Sequence, residues 1–318
     1  MSRAQYAMDT QFVNWRRRPT GDAAVNMYFG ACVGQMLATL LGRLLMVYVP
    51  ALSGLGVTMS VTVLFQTLCL LAPVLVYCAN RPGMAKGLRV QPCGAMPMVL
   101  SGLAAVSGLL FADGLGTLWL VLLEALGADI AGGMGFAGAP ILAQLAFCAL
   151  LPAVCEEMMF RGMMLSAFER QGRRTALFLS ALLFALIHVN LKGLPVQFAM
   201  GVALGYIVLR SGSLYPAVFF HLLFNGLSLL LSTGASGEQT LLEEIGGGQG
   251  ILGCVLRLLL YGALTLGLIA GIQGNDAEEA QPGARREMKA RTIIVLCAGI
   301  VTTLCVGLVN ALGMWGVL

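Results

Sequence analysis

The sequence predicts an all-α, polytopic transmembrane helical bundle of eight or nine spans, and three observations carry that expectation. Hydrophobic residues make up 58% of the 318 and charged residues only 11%, where a soluble domain carries about a quarter charged residues. Mean hydropathy is +0.86. Apolar stretches of the roughly 20 residues needed to cross a hydrocarbon core recur along the chain.

Taken in order, the spans run from Val25 to Val49, Val57 to Ala79, and Ala95 to Phe111 with an extension toward Leu126. Asp113, Gly114 and Gly116 interrupt the third, so the stretch after them is expected to form a short outer-leaflet helix. Four more follow at Ala139 to Leu165, Arg174 to Val189, Leu194 to Leu209, and Leu214 to Leu231. The last two are Ile251 to Ile272 and Thr292 to Val317. The expected organisation is a cytoplasmic segment 1–24, a transmembrane bundle 25–272 with a chemical core at 139–231, a polar cytoplasmic linker 273–291, and a C-terminal helix 292–318. The linker is Pro- and Gly-containing and charged, which reads as flexible. No internal repeat is visible. Gly30/Gly34 and Gly201/Gly205 have the spacing that lets helix backbones approach closely.

Lys and Arg alternate between loops, and that alternation sets orientation. Arg3, Arg16, Arg17 and Arg18 precede the first span; Arg81, Lys86 and Arg89 follow the second. Arg170, Arg173 and Arg174, then Arg210, then Arg285, Arg286, Lys289 and Arg291 lie on the same side. The other loops hold one cation, Lys192, with Glu124, Asp129, Glu238, Glu243 and Glu244. The N-terminus and the loop from Glu169 to Arg174 are therefore expected in the cytoplasm of a bacterial cell, and the loop from Ser232 to Gly250 outside.

The net charge of +4 is spread over short loops, so nucleic acid is not an expected partner; the lipid bilayer is. Nine cysteines form no CxxC pair and no zinc-finger spacing. Cys155 reads as a small packing residue. No removable signal peptide is expected, and the first span serves as the insertion signal. The final residues form no CaaX lipidation box.

Ionisable groups at membrane depth default to function. The only two histidines, His188 and His221, lie in apolar stretches, and a third stretch carries Glu156, Glu157 and Arg161. Helical rise puts Glu156 and His188 each about 20 Å from the cytoplasmic end, His221 at roughly 12 Å and Asn225 at roughly 18 Å. Helices of mixed direction thus bring their polar groups to one layer, an expected intramembrane active site. Glu157 and Arg161 are four apart and can pair, and His221 and Asn225 share a face. Glu156 is turned about 100° from Glu157, so one glutamate can face a cavity while Arg161 holds the other. Phe184, one turn before His188, can wall that cavity or support the ring.

Glu156-Glu157-x-x-x-Arg161-Gly162, Phe184-x-x-x-His188 preceded by Ser180, and His221-x-x-x-Asn225 preceded by Pro216 resemble, in this order, the three signatures of the CPBP intramembrane proteases. That group includes the CAAX prenyl endopeptidases and bacteriocin-processing proteins. The segment from Gly201 to Leu214 also resembles the family, and the likeness covers about Ala139 to Leu231. The resemblance implies a glutamate-dependent endopeptidase acting on a membrane-associated peptide or protein, with no cofactor and no covalent intermediate. It implies Glu156 as the base activating water, His188 sharing that water, and His221 and Asn225 stabilising the oxyanion. Glu157, Arg161 and Phe184 would support them. Carboxyl, imidazole and amide suit those tasks on chemical grounds, and no GxSxG elbow occurs.

Three other readings use the same groups. Glu156, His188 and His221 form a two-His, one-carboxylate set for a zinc protease, although HExxH is absent. Membrane Glu and His also serve proton-coupled transporters and channels, yet no inverted repeat or pair of broken helices is visible. A silent scaffold that binds a membrane partner would keep the same residues for packing. Substrate and oligomeric state are not legible in the sequence.

Overall fold

The computed structural model describes residues 18–48, 55–130, 140–233, 250–272 and 288–316. Most of the segment 1–24, of the linker 273–291 and of the loop from Ser232 to Gly250 lies outside the described residues. Within them the architecture is all-α: α1 (Gly21–Tyr48), α2 (55–79), α3 (Ala95–Ala125), α4 (Ile141–Gln171), α5 (Arg173–Ile187), α6 (Leu194–Ser211), α7 (Tyr215–Thr233), α8 (Ile251–Ala270) and α9 (Ala290–Met314). A single turn, Met84–Gly87, follows α2.

Seven of these helices are long and apolar enough to cross a membrane. The chain is a multi-pass integral membrane protein. The 15 residues of α5 and the apolar stretch Tyr215–Leu231 of α7 fall below that length, so length and composition alone identify seven candidate spans among the described residues, of the eight or nine expected. Lipid-facing surfaces are apolar, as in the exposed Leu252, Leu256, Leu259 and Leu260 of α8. The centre of α4 is different. Met159 through Glu169 is buried on every side, which marks it as the middle of the bundle.

One expectation is corrected. The third span is not broken at Asp113; α3 runs uninterrupted to Ala125. Gly114 is a contact, since a Cβ there would lie 2.7 Å from the Cys254 carbonyl oxygen of α8. Asp113 reaches Arg257 of α8, with Oδ2 and Nε 3.1 Å apart. Asp113 and Gly114, which read locally as part of a breaker, are a helix–helix seam.

Two helices widen into π turns, and proline accounts for where. Residues Phe65–Leu71 of α2 and Leu145–Leu150 of α4 are π-helical, and Pro73 and Pro152 follow within two residues. Proline has no N–H to give and clashes with the carbonyl four residues earlier, so the preceding turn opens. A third π segment, Met158–Leu165, directly follows the glutamate pair. Such segments occur disproportionately at functional sites.

Loops gather at two ends. At one, Arg18 and Arg89 each meet Glu169 Oε2 at 2.6 Å. There the Leu214 amide donates to the Arg89 carbonyl, and Arg210 donates to the carbonyls of Ala270 and Ile272. At the other, Trp119 donates to the Leu191 carbonyl, Lys192 to that of Ile130, and Trp315 to that of Leu126. Alternate loops therefore share an end.

Of the glycine pairs, Gly201 and Gly205 of α6 back onto α5: a Cβ would lie 2.8 Å from Ala181 Cα at the first and 2.7 Å from Leu177 Cδ1 at the second. Gly34 abuts Cys69 of α2, whereas Gly30 has no heavy atom within 4 Å of a Cβ. Gly201→Val is expected to destabilise the bundle by about 1–3 kcal/mol, the usual cost of overpacking. Gly30→Ala is expected to stay within about 1 kcal/mol of wild type. Thermal unfolding in detergent micelles tests both, and equal losses would contradict the assigned seam.

Candidate active site

The sequence-selected groups reach one place by different local routes. Glu156 and Glu157 end the helical turn between two π segments of α4, both buried. His188 stands at the C-terminal cap of α5 rather than inside a helix. Its amide bonds back to the Ala185 carbonyl, which leaves the Phe184 carbonyl to accept from the ring Nδ1 at 2.7 Å. The next residue, Val189, has φ 51°, a left-handed conformation that β-branched residues rarely adopt. The turn that presents His188 is thus strained, as is common beside functional groups. His221 is buried in α7, with Asn225 one turn on.

Glu157 is held from two sides. Its Oε1 accepts from Arg161 at 2.8 Å and lies 2.8 Å from Nδ1 of His221. Arg161, only 1% exposed, also donates to the Gly201 carbonyl and lies over the Phe184 ring, 4.2 Å from its centroid. Phe184 in turn sets its ring edge-on to both imidazoles, with centroids 4.8 Å from His188 and 6.1 Å from His221. These contacts bring Glu157, Arg161 and Phe184 together around the two histidines.

Glu156 uses its oxygens separately. Oε1 accepts from the Gln66 side-chain amide of α2 at 2.7 Å. Oε2 faces Nε2 of His188 at 3.7 Å and Nε2 of His221 at 3.9 Å. Those separations exceed a direct hydrogen bond. A carbonyl only accepts, so Nδ1 of His188 carries a proton; Nδ1 of His221 likewise donates to the Glu157 carboxylate. In the neutral rings both Nε2 atoms therefore present lone pairs toward Glu156.

Asn225 donates to the Cys148 carbonyl at 3.2 Å. Residue 152, four positions on, is proline and has no N–H to offer that carbonyl. The Asn225 amide group carries a second N–H. Glu156, Phe184, His188, His221 and Asn225 all line one cavity of about 410 Å³, together with Thr62, Gln197 and Cys148. Cys155, Ser180 and Pro216 do not line it. Among the described residues, no group of three His, Cys, Asp or Glu has metal-holding spacing.

Residues 138–227 match the sequence model of a family described as Rce1-like, type II CAAX prenyl endopeptidase Rce1-like. An Rce1-like domain occupies this part of the chain. The Rce1-like domain spans α4 to α7, and every cavity residue named above except Thr62 falls within it. No curated protein and no solved structure gives a significant match.

Sequence reasoning missed Gln66 and the Cys148 carbonyl. Gln66 did leave a signal, as a lone amide in the apolar run from Val57 to Ala79.

Breaking the buried pair by Glu157→Leu or Arg161→Leu is expected to cost about 3–5 kcal/mol of stability, because one buried charge loses its partner. The double variant should lose less than the sum of the two. Unfolding in mixed micelles measures all three, and strict additivity would show that the two groups do not act as a unit.

Proposed function

We propose that this site hydrolyses peptide bonds in membrane-associated peptides or proteins by an activated water, without a covalent intermediate. One observation carries the reading. A single oxygen of Glu156 faces the Nε2 atoms of two imidazoles across gaps of 3.7 and 3.9 Å, in one cavity. A water between them donates one hydrogen to Glu156 and the other to His188. Glu156 takes the first proton as the water oxygen attacks the scissile carbonyl carbon. The carbonyl oxygen becomes an oxyanion. Collapse breaks the C–N bond, and Glu156 returns its proton to the departing amine.

Stabilising the oxyanion falls to Asn225 and His221. Asn225 offers its second N–H while the Cys148 carbonyl orients the amide. His221 donates from Nε2 only when that atom is also protonated, and Glu157 supplies the counter-charge for the resulting imidazolium. Arg161 and Phe184 hold Glu157 and the rings in register. The family name supports the choice of reaction and points to peptides following a prenylated cysteine as the first probe.

The proposed test uses a quenched fluorogenic peptide with a farnesylated Cys and three further residues, in liposomes. Glu156→Gln is expected to abolish cleavage while the protein still folds. Asn225→Ala should lower turnover by roughly 100- to 1000-fold with KM little changed, the typical cost of one oxyanion donor. Chelator should leave the wild-type rate unaltered. Full turnover by Glu156→Gln would sink the mechanism, and chelator-sensitive activity with one bound zinc would replace it by a zinc protease.

We further propose that all nine helices cross the bilayer and that the end holding Arg18, Arg81, Arg89, Arg173 and Arg210 is cytoplasmic, following the positive-inside rule. Cysteine placed at Gln171 should then be protected from an impermeant thiol reagent on intact cells, and cysteine placed at Lys192 labelled, in a background without native cysteines. The reverse pattern would invert the orientation.

A further inference from the structure

Gln66 lies outside the Rce1-like domain, ninety residues before Glu156 and on a different helix. Its side chain is 6% exposed. The amide Nε2 donates to Glu156 Oε1 at 2.7 Å, and the amide oxygen has no hydrogen-bond partner among the described residues. The opposite amide orientation would set two acceptor oxygens against each other, so the contact itself decides which way the amide points. A buried amide with one end unsatisfied is a poor way to fill an apolar helix interface, where an aliphatic side chain costs less. Packing therefore does not account for an amide here. Its one named contact is the carboxylate.

The backbone around Gln66 serves the same end. The residue is the second of the π segment Phe65–Leu71, which the following Pro73 accounts for, and this segment packs against the turn of α4 that carries Glu156. One turn earlier on the same helix, Thr62 lines the catalytic cavity. A helix unrelated to the matched domain thus reaches the reacting carboxylate.

We propose that Gln66 is a positioning residue for Glu156. By engaging Oε1 it prevents the carboxylate from rotating and leaves Oε2 as the oxygen that faces the two imidazoles and the water between them. The catalytic unit therefore extends beyond the domain's own four helices to include α2. This inference rests on the hydrolytic reading above for its kinetic consequence, but not for the contact.

Gln66→Met removes the donor at nearly constant length, and Gln66→Leu does so with a branched side chain. Both are expected to lower kcat on the farnesylated peptide by about 10- to 100-fold, what one hydrogen bond to a charged group is worth. KM should change less than three-fold. The midpoint of thermal unfolding should fall by no more than a few degrees, since Glu156 loses a donor while an unsatisfied buried amide is replaced by apolar volume. A residue needed only for packing would show the opposite pattern, with stability lost and turnover retained.

A second measurement does not depend on activity. The infrared bands of the Glu156 carboxyl are isolated by subtracting the Glu156→Gln spectrum from wild type, and the subtraction is repeated in the Gln66→Met background. The bands should move, because one carboxyl oxygen has lost a donor. A kcat within two-fold of wild type, an effect confined to KM, or unmoved carboxyl bands each overturns the proposal. If wild type fails to cleave the peptide, the hydrolytic reading is what failed, and the infrared arm alone decides whether Gln66 holds Glu156. If Gln66→Met does not fold, Gln66→Leu carries both measurements, and misfolding of both variants overturns the proposal in favour of packing.

Discussion

Glu157 carries a buried charge that must be balanced inside the bundle, and the way it is balanced organises the site. Its carboxylate takes Arg161 from its own helix and His221 from α7. Arg161 reaches on to the Gly201 carbonyl of α6 and to the face of Phe184 on α5. One ion pair thereby ties four helices together at one depth. Burying two charges is costly, and the close partners that Glu157 Oε1 and Arg161 share offset part of that cost. The requirement for those partners fixes the rotation of α4 and with it the direction in which Glu156 points.

Freed backbone carbonyls do the remaining alignment. Helix ends and prolines each release an acceptor that the regular ladder would have used. The end of α5 releases the Phe184 carbonyl, which sets the His188 ring and its tautomer. Pro152 withdraws a donor from the Cys148 carbonyl, which then orients Asn225. Two side chains at the cavity are therefore held by main-chain groups of irregular helix. A regular helix at either position would leave imidazole or amide free to turn away.

The outer helices are joined by other means. α8 lies along α3 with Asp113, Gly114 and Arg257 at the seam, and Ser107 and Thr265 lie 2.8 Å apart between the same helices. α9 lies along α1, where Tyr28 fills the space beside Gly299. Asp113 with Arg257 and Ser107 with Thr265 pair between apolar helices, where lipid offers no partner. These pairs hold the periphery in place around the central four helices, and of the outer helices α2 alone lines the cavity beside Glu156.

Much was legible in the sequence. Span positions followed from apolar runs, because a bilayer imposes a length that local composition reports directly. The choice of Glu156, Glu157, Arg161, His188, His221 and Asn225 followed from the expense of polar groups in such runs. Rise per residue was enough to bring them to a common layer. Tertiary structure alone decided which atoms meet. Hydropathy read Asp113 and its glycines as a break, since a breaker and a helix seam have the same composition. It marked Gln66 only as a lone amide in an apolar run and was silent on its contact with Glu156, which joins two helices ninety residues apart. Sequence determined depth and chemistry here because membrane and helix geometry act on neighbouring residues; the pairing of side chains across helices depends on rotation and approach, which no local pattern records.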